Sequence, residues 1–542
     1  MVLTRRCSAR PFECAALCLV VFTCATRTGA QSQPSKTLHS RTVATGIKPA
    51  ERADVARFRN RVEAALSASV PDKGFWGALV TDAATGEALY SRNAGSYFTP
   101  ASDVKLFTTA LALATLGTEY RIRTTVSTAG TIDMNGLLAG DLVLTGRGDA
   151  NLSNRKFPYD KKVERDGPPE KALAALADAV AARGVKEIEG GVIADDSMFQ
   201  LERFPSGWSI DDMLWSYGAA VSAIAVNDNT FTLDVRPGER EGEAAAFTIE
   251  PASDFYWIEN TVHTSARGSE EKLAVVREPG SRTIRVSGTI PPGAPPRRLT
   301  IAIEEPAEYA ASLLARLLEA RGIQIHGVAR ARHAGDPALS SANHPEETIL
   351  AEHMSLPLAE DIRQVNKNSL NLHAELLLLL AAHEKTGATT REEAVKFAAD
   401  FFKTAGIADG DVVLPDGSGL SRRDLVTPRA IVQMLNYAAT QPWGDLYRSS
   451  LPVAGEDGTL SDRMKDTPAA GRIFAKTGTI EHVVALSGYA TTTRGAHLIF
   501  SILANNNDLH AQTADAVLDA IAVAMVEELG PAPVAGRKKG KK

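Results

Sequence analysis

Pro100-Ala-Ser-Asp-Val-Lys-Leu-Phe-Thr-Thr-Ala-Leu-Ala-Leu-Ala-Thr-Leu-Gly117 is the stretch on which the fold turns. An alanine- and leucine-rich run closed by a glycine predicts a buried helix. Ser102 and Lys105 stand three apart at its head, where helical side chains share a face. A hydroxyl beside a lysine amine is the pairing an acyl-transfer nucleophile needs. Ser-x-x-Lys alone is weak, since chance supplies it roughly twice in a chain of this size. Ser153-Asn-Arg-Lys156 and Ser269-Glu-Glu-Lys272 also match. Neither opens a buried helix: the first runs into Phe157-Pro-Tyr, the second into a strand-like Leu273-Ala-Val-Val with a Pro-Gly turn.

Two further short stretches follow in order. Ser369-Leu-Asn371 precedes the leucine-rich helix pattern Leu372-His-Ala-Glu-Leu-Leu-Leu-Leu-Leu-Ala-Ala, whereas Ser91-Arg-Asn93 and Ser341-Ala-Asn343 lie in turn or loop sequence. Lys476-Thr-Gly478 lies between Arg472-Ile-Phe-Ala and Thr479-Ile-Glu-His-Val-Val, a strand pattern followed at once by another. Its counterpart Lys385-Thr-Gly387 ends the leucine-rich helix, and its glycine reads as a C-cap.

Taken together these three stretches resemble the penicillin-recognising serine transferases. More narrowly, they resemble the class C low-molecular-mass penicillin-binding proteins, the D-alanyl-D-alanine carboxypeptidase/endopeptidase family. Tyr217 to Asn229, Asp416-Gly-Ser-Gly-Leu-Ser-Arg422, Gly455-Glu-Asp-Gly-Thr-Leu and Gly488-Tyr-Ala resemble the same family. Ser102 and Ser369 are 267 positions apart, matching the family's habit of inserting domains between the first and second motifs. Leu370 departs from the Asp usual between Ser and Asn. There is no Glu-x-x-Leu-Asn deacylation motif of class A β-lactamases, and Ser369 stands where class C β-lactamases have Tyr.

The resemblance implies an α/β (α+β) fold of the penicillin-binding-protein/β-lactamase type: an antiparallel sheet flanked by helices, with mainly β insertions. It implies an acyl-enzyme on Ser102 with Lys105 as base. Lowering a lysine from about 10.4 to about 7 costs on the order of 4–5 kcal/mol, supplied by burial and the cation Lys476. Ser369 would relay the proton to the leaving amine, Asn371 would bind the substrate amide, and Lys476 would set the electrostatics. Thr477, Gly478 and Thr479 would hold the terminal carboxylate along the strand. The N–H groups of Ser102 and Thr479 would form the oxyanion hole, and Asp416 and Ser418 would line the cleft. Expected substrates are peptidoglycan peptides, with β-lactam antibiotics as covalent inhibitors. A β-lactamase or esterase of the same fold and a non-catalytic peptidoglycan-binding protein are the alternatives.

Residues 1–30 carry Arg5, Arg6 and Arg10, then an apolar run from Ala15, and read as a cleaved export signal directing the chain to the periplasm. All four cysteines (Cys7, Cys14, Cys18, Cys24) lie there, so the exported chain has no thiol for catalysis or a Cys-ligated metal. No cofactor is expected, and no His-Glu-x-x-His spacing suggests a metal. The formal charge of −6 gives no basic face for nucleic acid. Arg537-Lys-Lys-Gly-Lys-Lys542 is a basic tail offering weak membrane-surface contact. His373 and His482 flank two motifs, but there is no Gly-x-Ser-x-Gly elbow and a lysine already fills the base position, which argues against a Ser-His-Asp triad.

The expected organisation is a leader at 1–30, a polar linker at 31–50, a discontinuous catalytic part at 51–120 and 345–530, an inserted region of two small units at 121–344, and a flexible tail at 531–542. Composition does not fix the oligomeric state.

Overall fold

The computed structural model describes residues 52–69, 73–337, 347–508 and 511–530. The expected leader, linker and basic tail lie outside the described residues.

Phe75–Asp82 and Ala88–Arg92 form a hairpin whose turn is fixed by Asp82: its carboxylate accepts from the N–H groups of Ala84 (3.0 Å) and Thr85 (2.9 Å). Phe75–Asp82 pairs on its other side with His497–Asn505, followed by Val483–Thr491 and then Ile473–Ile480, all antiparallel. The strand bearing Lys476-Thr-Gly478 is therefore the edge of a five-stranded sheet; its outer side is bridged to Val453 at Phe474, and beyond that point a peptide can meet it.

Each face of the sheet is covered. Helices Ala53–Ser69 and Ala511–Glu528 pack on one, burying Phe58, Val62, Leu518 and Met525 against Val80, Leu486 and Phe500. Helices Val104–Leu116, Asn371–Thr386 and Pro428–Ala439 cover the other. Residues 104–113 of the first are all buried, so this helix is a central rod and not a surface amphipath. That is why the Ser102 stretch is apolar all round.

The inserted region has its own apolar core, a cluster running from Val126 to Ala351. Its first strand, Arg123–Thr128, pairs with Thr348–Met354, so the chain leaves and returns side by side. The return strand is followed by helix Leu358–Asn368, which leads into Ser369. Within this region Thr230–Arg236 lies between Ala246–Glu250 and Arg297–Ala302 in a three-stranded antiparallel sheet. Among the described residues, no helix is long and apolar enough to cross a membrane, and no cluster of His, Cys, Asp and Glu is suited to a metal ion.

Candidate active site

Ser102 sits in a single 3₁₀ turn, Ala101–Asp103, that runs directly into the central helix and places Lys105 in its first turn. Lys105 is fully buried. Its Nζ is 2.9 Å from Ser102 Oγ, 2.6 Å from Asn371 Oδ1 and 2.6 Å from the Ser418 carbonyl oxygen. A neutral amine has two N–H donors and one lone pair. In that neutral form the two acceptors would take both donors and leave the lone pair for the Ser102 hydroxyl. Burial, and then the charge of Lys476, push the Lys105 amine well below its ordinary value, against the pull of Asp416, Glu375 and Asp424.

Ser369 lies between two helices. Leu358–Asn368 ends with Ser369 in the left-handed region (φ 60°), Leu370 is extended, and Asn371 begins the next helix. This corner aims both polar side chains at Lys105 and the edge strand. Lys476 Nζ donates to Ser369 Oγ (2.9 Å) and to the Thr477 carbonyl (2.7 Å), while Asn371 Nδ2 donates to the Tyr217 carbonyl (2.7 Å). Lys476 is fully buried, and burial lowers it to about 8, opposed by Asp103. Thr477 shares a 2.7 Å hydroxyl–hydroxyl hydrogen bond with Thr459. Gly478 is needed because a Cβ there would come within 2.7 Å of the Pro100 carbonyl oxygen.

A cavity of ≈ 730 Å³ opens over these groups, walled by Ser102, Ser369, Asn371, Thr479, Tyr217 and Leu420 among others. Its size suits a peptide segment. Asp416 and Ser418, expected in the cleft wall, are not there: both are buried beneath it. Asp416 accepts from the N–H groups of Gly419 (2.8 Å), Ser421 (2.8 Å) and Ser418 (3.2 Å) and from Trp208 Nε1 (2.9 Å). With the Ser418 hydroxyl (3.2 Å), five donors fold around one carboxylate and turn the loop inward. Ser418 meets Lys105 through its carbonyl, and Gly419, whose Cβ would lie 1.9 Å from the Ala101 carbonyl oxygen, forms the wall in its place.

Three buried carboxyls escaped the sequence reading. Glu375 holds Arg391 (2.5 Å) and accepts from the Gly417 N–H (3.0 Å), and burial raises it to about 7. Its position four residues after Asn371 on one helix was the available signal. Asp424 is pushed well above the carboxylate range by burial and by Asp416. Asp103 is raised to about 7 by burial, against the attraction of Lys476 and Lys105.

Neither His373 nor His482 bonds to Ser102. His373 is buried between Asp361 (2.7 Å) and Asp228 (3.1 Å) and raised to about 9 by these carboxylates in spite of burial, so it is protonated at neutral pH. His482 is on the cavity wall and its Nδ1 meets the Asn507 carbonyl at 2.9 Å.

Residues 59–526 match the model of the D-Ala-D-Ala carboxypeptidase 3 (S13) family. The chain is 35% identical over 497 residues to a D-alanyl-D-alanine carboxypeptidase of Actinomadura sp. (strain R39), covering 89% of this chain and 87% of that protein. It is 26% identical over 472 residues to the D-alanyl-D-alanine carboxypeptidase DacB of Haemophilus influenzae, covering 85% of this chain and 92% of that one. The crystal structure of penicillin binding protein 4 (dacB) from Haemophilus influenzae superposes with a TM-score of 0.73 at 24% identity, covering 86% of this chain and 98% of that chain. The fold is thus of the penicillin-binding-protein/β-lactamase type, an antiparallel sheet between helices.

Proposed function

The chain belongs to the D-Ala-D-Ala carboxypeptidase 3 (S13) family, and on that premise we propose that it is an exported, periplasmic hydrolase that removes the terminal D-alanine from peptidoglycan stem peptides through an acyl-enzyme on Ser102. The observation that carries this reading is the Lys105 amine: buried, depressed, and with its Nζ 2.9 Å from Ser102 Oγ.

Ser102 Oγ attacks the carbonyl carbon of the penultimate D-alanine as Lys105 takes its proton. The N–H groups of Ser102 and Thr479, both residues of the cavity wall, stabilise the oxyanion, with about 3–4 kcal/mol per donor. The carbon–nitrogen bond then breaks. Ser369, hydrogen-bonded to Lys476, passes a proton to the departing amine. Thr477 and Thr479 receive the terminal carboxylate on the edge strand, where Lys476 adds positive charge. Water then attacks the ester, returns the proton to Ser102 and frees the shortened peptide. A β-lactam enters the same path, its amide opened by Ser102.

Intact mass after incubation with benzylpenicillin tests this directly. One penicilloyl increment and release of D-alanine from a pentapeptide are expected, both lost in Ser102→Ala by a factor on the order of 10⁴ or more. Retention of the increment in that variant would move the nucleophile elsewhere.

A further inference from the structure

Besides Ser102, the Lys105 amine has two partners, the Asn371 side-chain oxygen (2.6 Å) and the Ser418 carbonyl (2.6 Å). Both are reached by one segment of the inserted region, residues 208–217. At its end the Tyr217 carbonyl accepts from Asn371 Nδ2 (2.7 Å), which turns the amide oxygen toward the lysine. At its start Trp208 Nε1 donates to Asp416 Oδ2 (2.9 Å), the carboxylate around which the Ser418 loop is wound.

Trp208 comes from the insertion in sequence but packs with the catalytic part. It is 8% exposed and lies in the same apolar cluster as Leu106, Leu378 and Leu420. The backbone before it is laced to the Asp416 loop: Ser421 Oγ donates to the Ser206 carbonyl (2.8 Å), the Arg422 N–H donates to the Gly207 carbonyl (3.2 Å), and a Cβ on Gly207 would come within 2.4 Å of Ser421 Oγ. Of the five donors on Asp416, four belong to the loop itself and shape it, and the indole is the one from outside. Gly417 is pinned to the two helices by Thr108 (2.7 Å) and Glu375 (3.0 Å), and the indole ties the same loop to the insertion.

We infer that Trp208 is a positioning residue for the Lys105 base: its indole N–H fixes Asp416, so that the Ser418 carbonyl stands where it holds the amine against Ser102; this rests on the acyl-enzyme reading above. The same hydrogen bond acts on charge. Asp416, Glu375 and Asp424 draw the Lys105 amine toward protonation, Lys476 opposes them, Arg391 offsets Glu375, and Asp103 stands in the turn just before the helix. An N–H donated to Asp416 takes up part of its negative charge. Without that donor the carboxylate acts on Lys105 more strongly, and the lysine keeps its proton to higher pH.

The test uses the full exported chain. Trp208→Phe keeps an aromatic ring and removes the donor; a second variant carries 3-benzothienylalanine at position 208, which keeps both rings and exchanges only the N–H for sulfur. Benzylpenicillin acylation is followed over a range of antibiotic concentrations and pH values, which separates affinity of the noncovalent complex from the acylation rate constant, and melting is recorded alongside. Trp208 is not among the residues of the cavity wall, so affinity should stay within about twofold while the plateau rate constant falls about tenfold. The pH midpoint of acylation should rise by about half a unit or more. A folded variant that melts lower but keeps the wild-type rate constant and midpoint has lost a merely structural contact, and overturns the inference. So does a loss carried wholly by affinity, or a midpoint that falls. A wild-type chain that is not acylated at all sinks the acyl-enzyme reading and this inference with it. If the phenylalanine variant fails to fold, the benzothienyl variant decides.

Discussion

Asn371 and His373 are two residues apart on one helix, yet each belongs to a buried cluster of charge built on a different rule. On the Asn371 side, Lys105 and Lys476 are buried near one another, and both amines are lowered. Their principal neighbours are neutral: hydroxyls, an amide and carbonyls. On the His373 side the imidazolium and two guanidinium groups are paired with carboxylates. Asp361 and Asp228 grip the imidazolium, and Arg155 (2.5 Å) and Arg165 (2.7 Å) grip Asp228, which falls well below the carboxylate range in spite of its burial. Under-compensated cations yield protons easily. Fully compensated ones hold geometry, here clamping helix Leu358–Asn368, helix Asn371–Thr386 and the Asp228 segment around the Ser369 corner. The difference separates charge that reacts from charge that fastens.

That contrast predicts rate effects on one side and stability effects on the other. The largest is expected from Lys105→Met, which removes the proposed proton acceptor at nearly constant volume. Penicilloylation should slow by a factor on the order of 10³–10⁴. The urea midpoint should hold or rise, because a buried amine contributes little to stability and a thioether packs well. A lowered midpoint at an undiminished rate would reverse the assignment. Asp228→Asn is the converse. It leaves two arginines and an imidazolium without their shared anion, and a loss of about 3–5 kcal/mol in denaturant unfolding is expected. Acylation of the molecules that remain folded should persist.

The two clusters should also pull stability in opposite directions with pH. His373 is raised from 6.5 to about 9 on folding, so the folded chain holds a proton that the unfolded chain releases between those values. Its stabilisation is complete below about 6.5 and disappears as pH rises through about 9. Lys476 is lowered from 10.5 to about 8, so there the unfolded chain holds the extra proton and stability rises from about 8 to 10.5. Unfolding titrations of His373→Gln and Lys476→Met should each remove one of these opposed slopes, worth a few kcal/mol at most. Acylation should increase with pH through the range in which the Lys105 amine loses its proton. Two variants with slopes of the same sign would erase the distinction.

How far the sequence disclosed this arrangement depended on the kind of signal each residue left. Ser102 and Lys105 were legible because helical spacing fixes which side chains meet, and Lys476 because a β-branched stretch followed by another implies paired strands. Asp416 and Ser418 were misplaced because a glycine-rich loop announces a turn without saying which side faces inward. That choice came from Trp208, 208 positions before Asp416, reaching its carboxylate. Glu375 was hidden inside a leucine run. Helix Ala53–Ser69 went unseen because its charged residues outnumber the few, Val55, Phe58 and Val62, that it buries. The partners of Asp228 come from segments more than 60 residues before it and more than 130 after it, so no local pattern could reveal the clamp.

A third kind of contact marks the lower end of the scale. Thr459 and Thr477 join the loop after Pro452 to the edge strand through one hydroxyl–hydroxyl hydrogen bond of 2.7 Å, with no charge at either end. Thr459→Ala removes it but strands no ion, and Thr477 is 8% exposed, so its hydroxyl can turn toward the cleft. A cost of about 0.5–1.5 kcal/mol is expected, with Thr459→Ser restoring most of it. Because the freed hydroxyl stays on the strand proposed to hold the terminal carboxylate, pentapeptide KM should change before kcat does. A loss as large as that of Asp228→Asn would mean that burial, and not the pairing of charge, decides which contacts fasten this molecule. The contrast between the two sides of the Asn371–His373 helix would then have to be redrawn around packing.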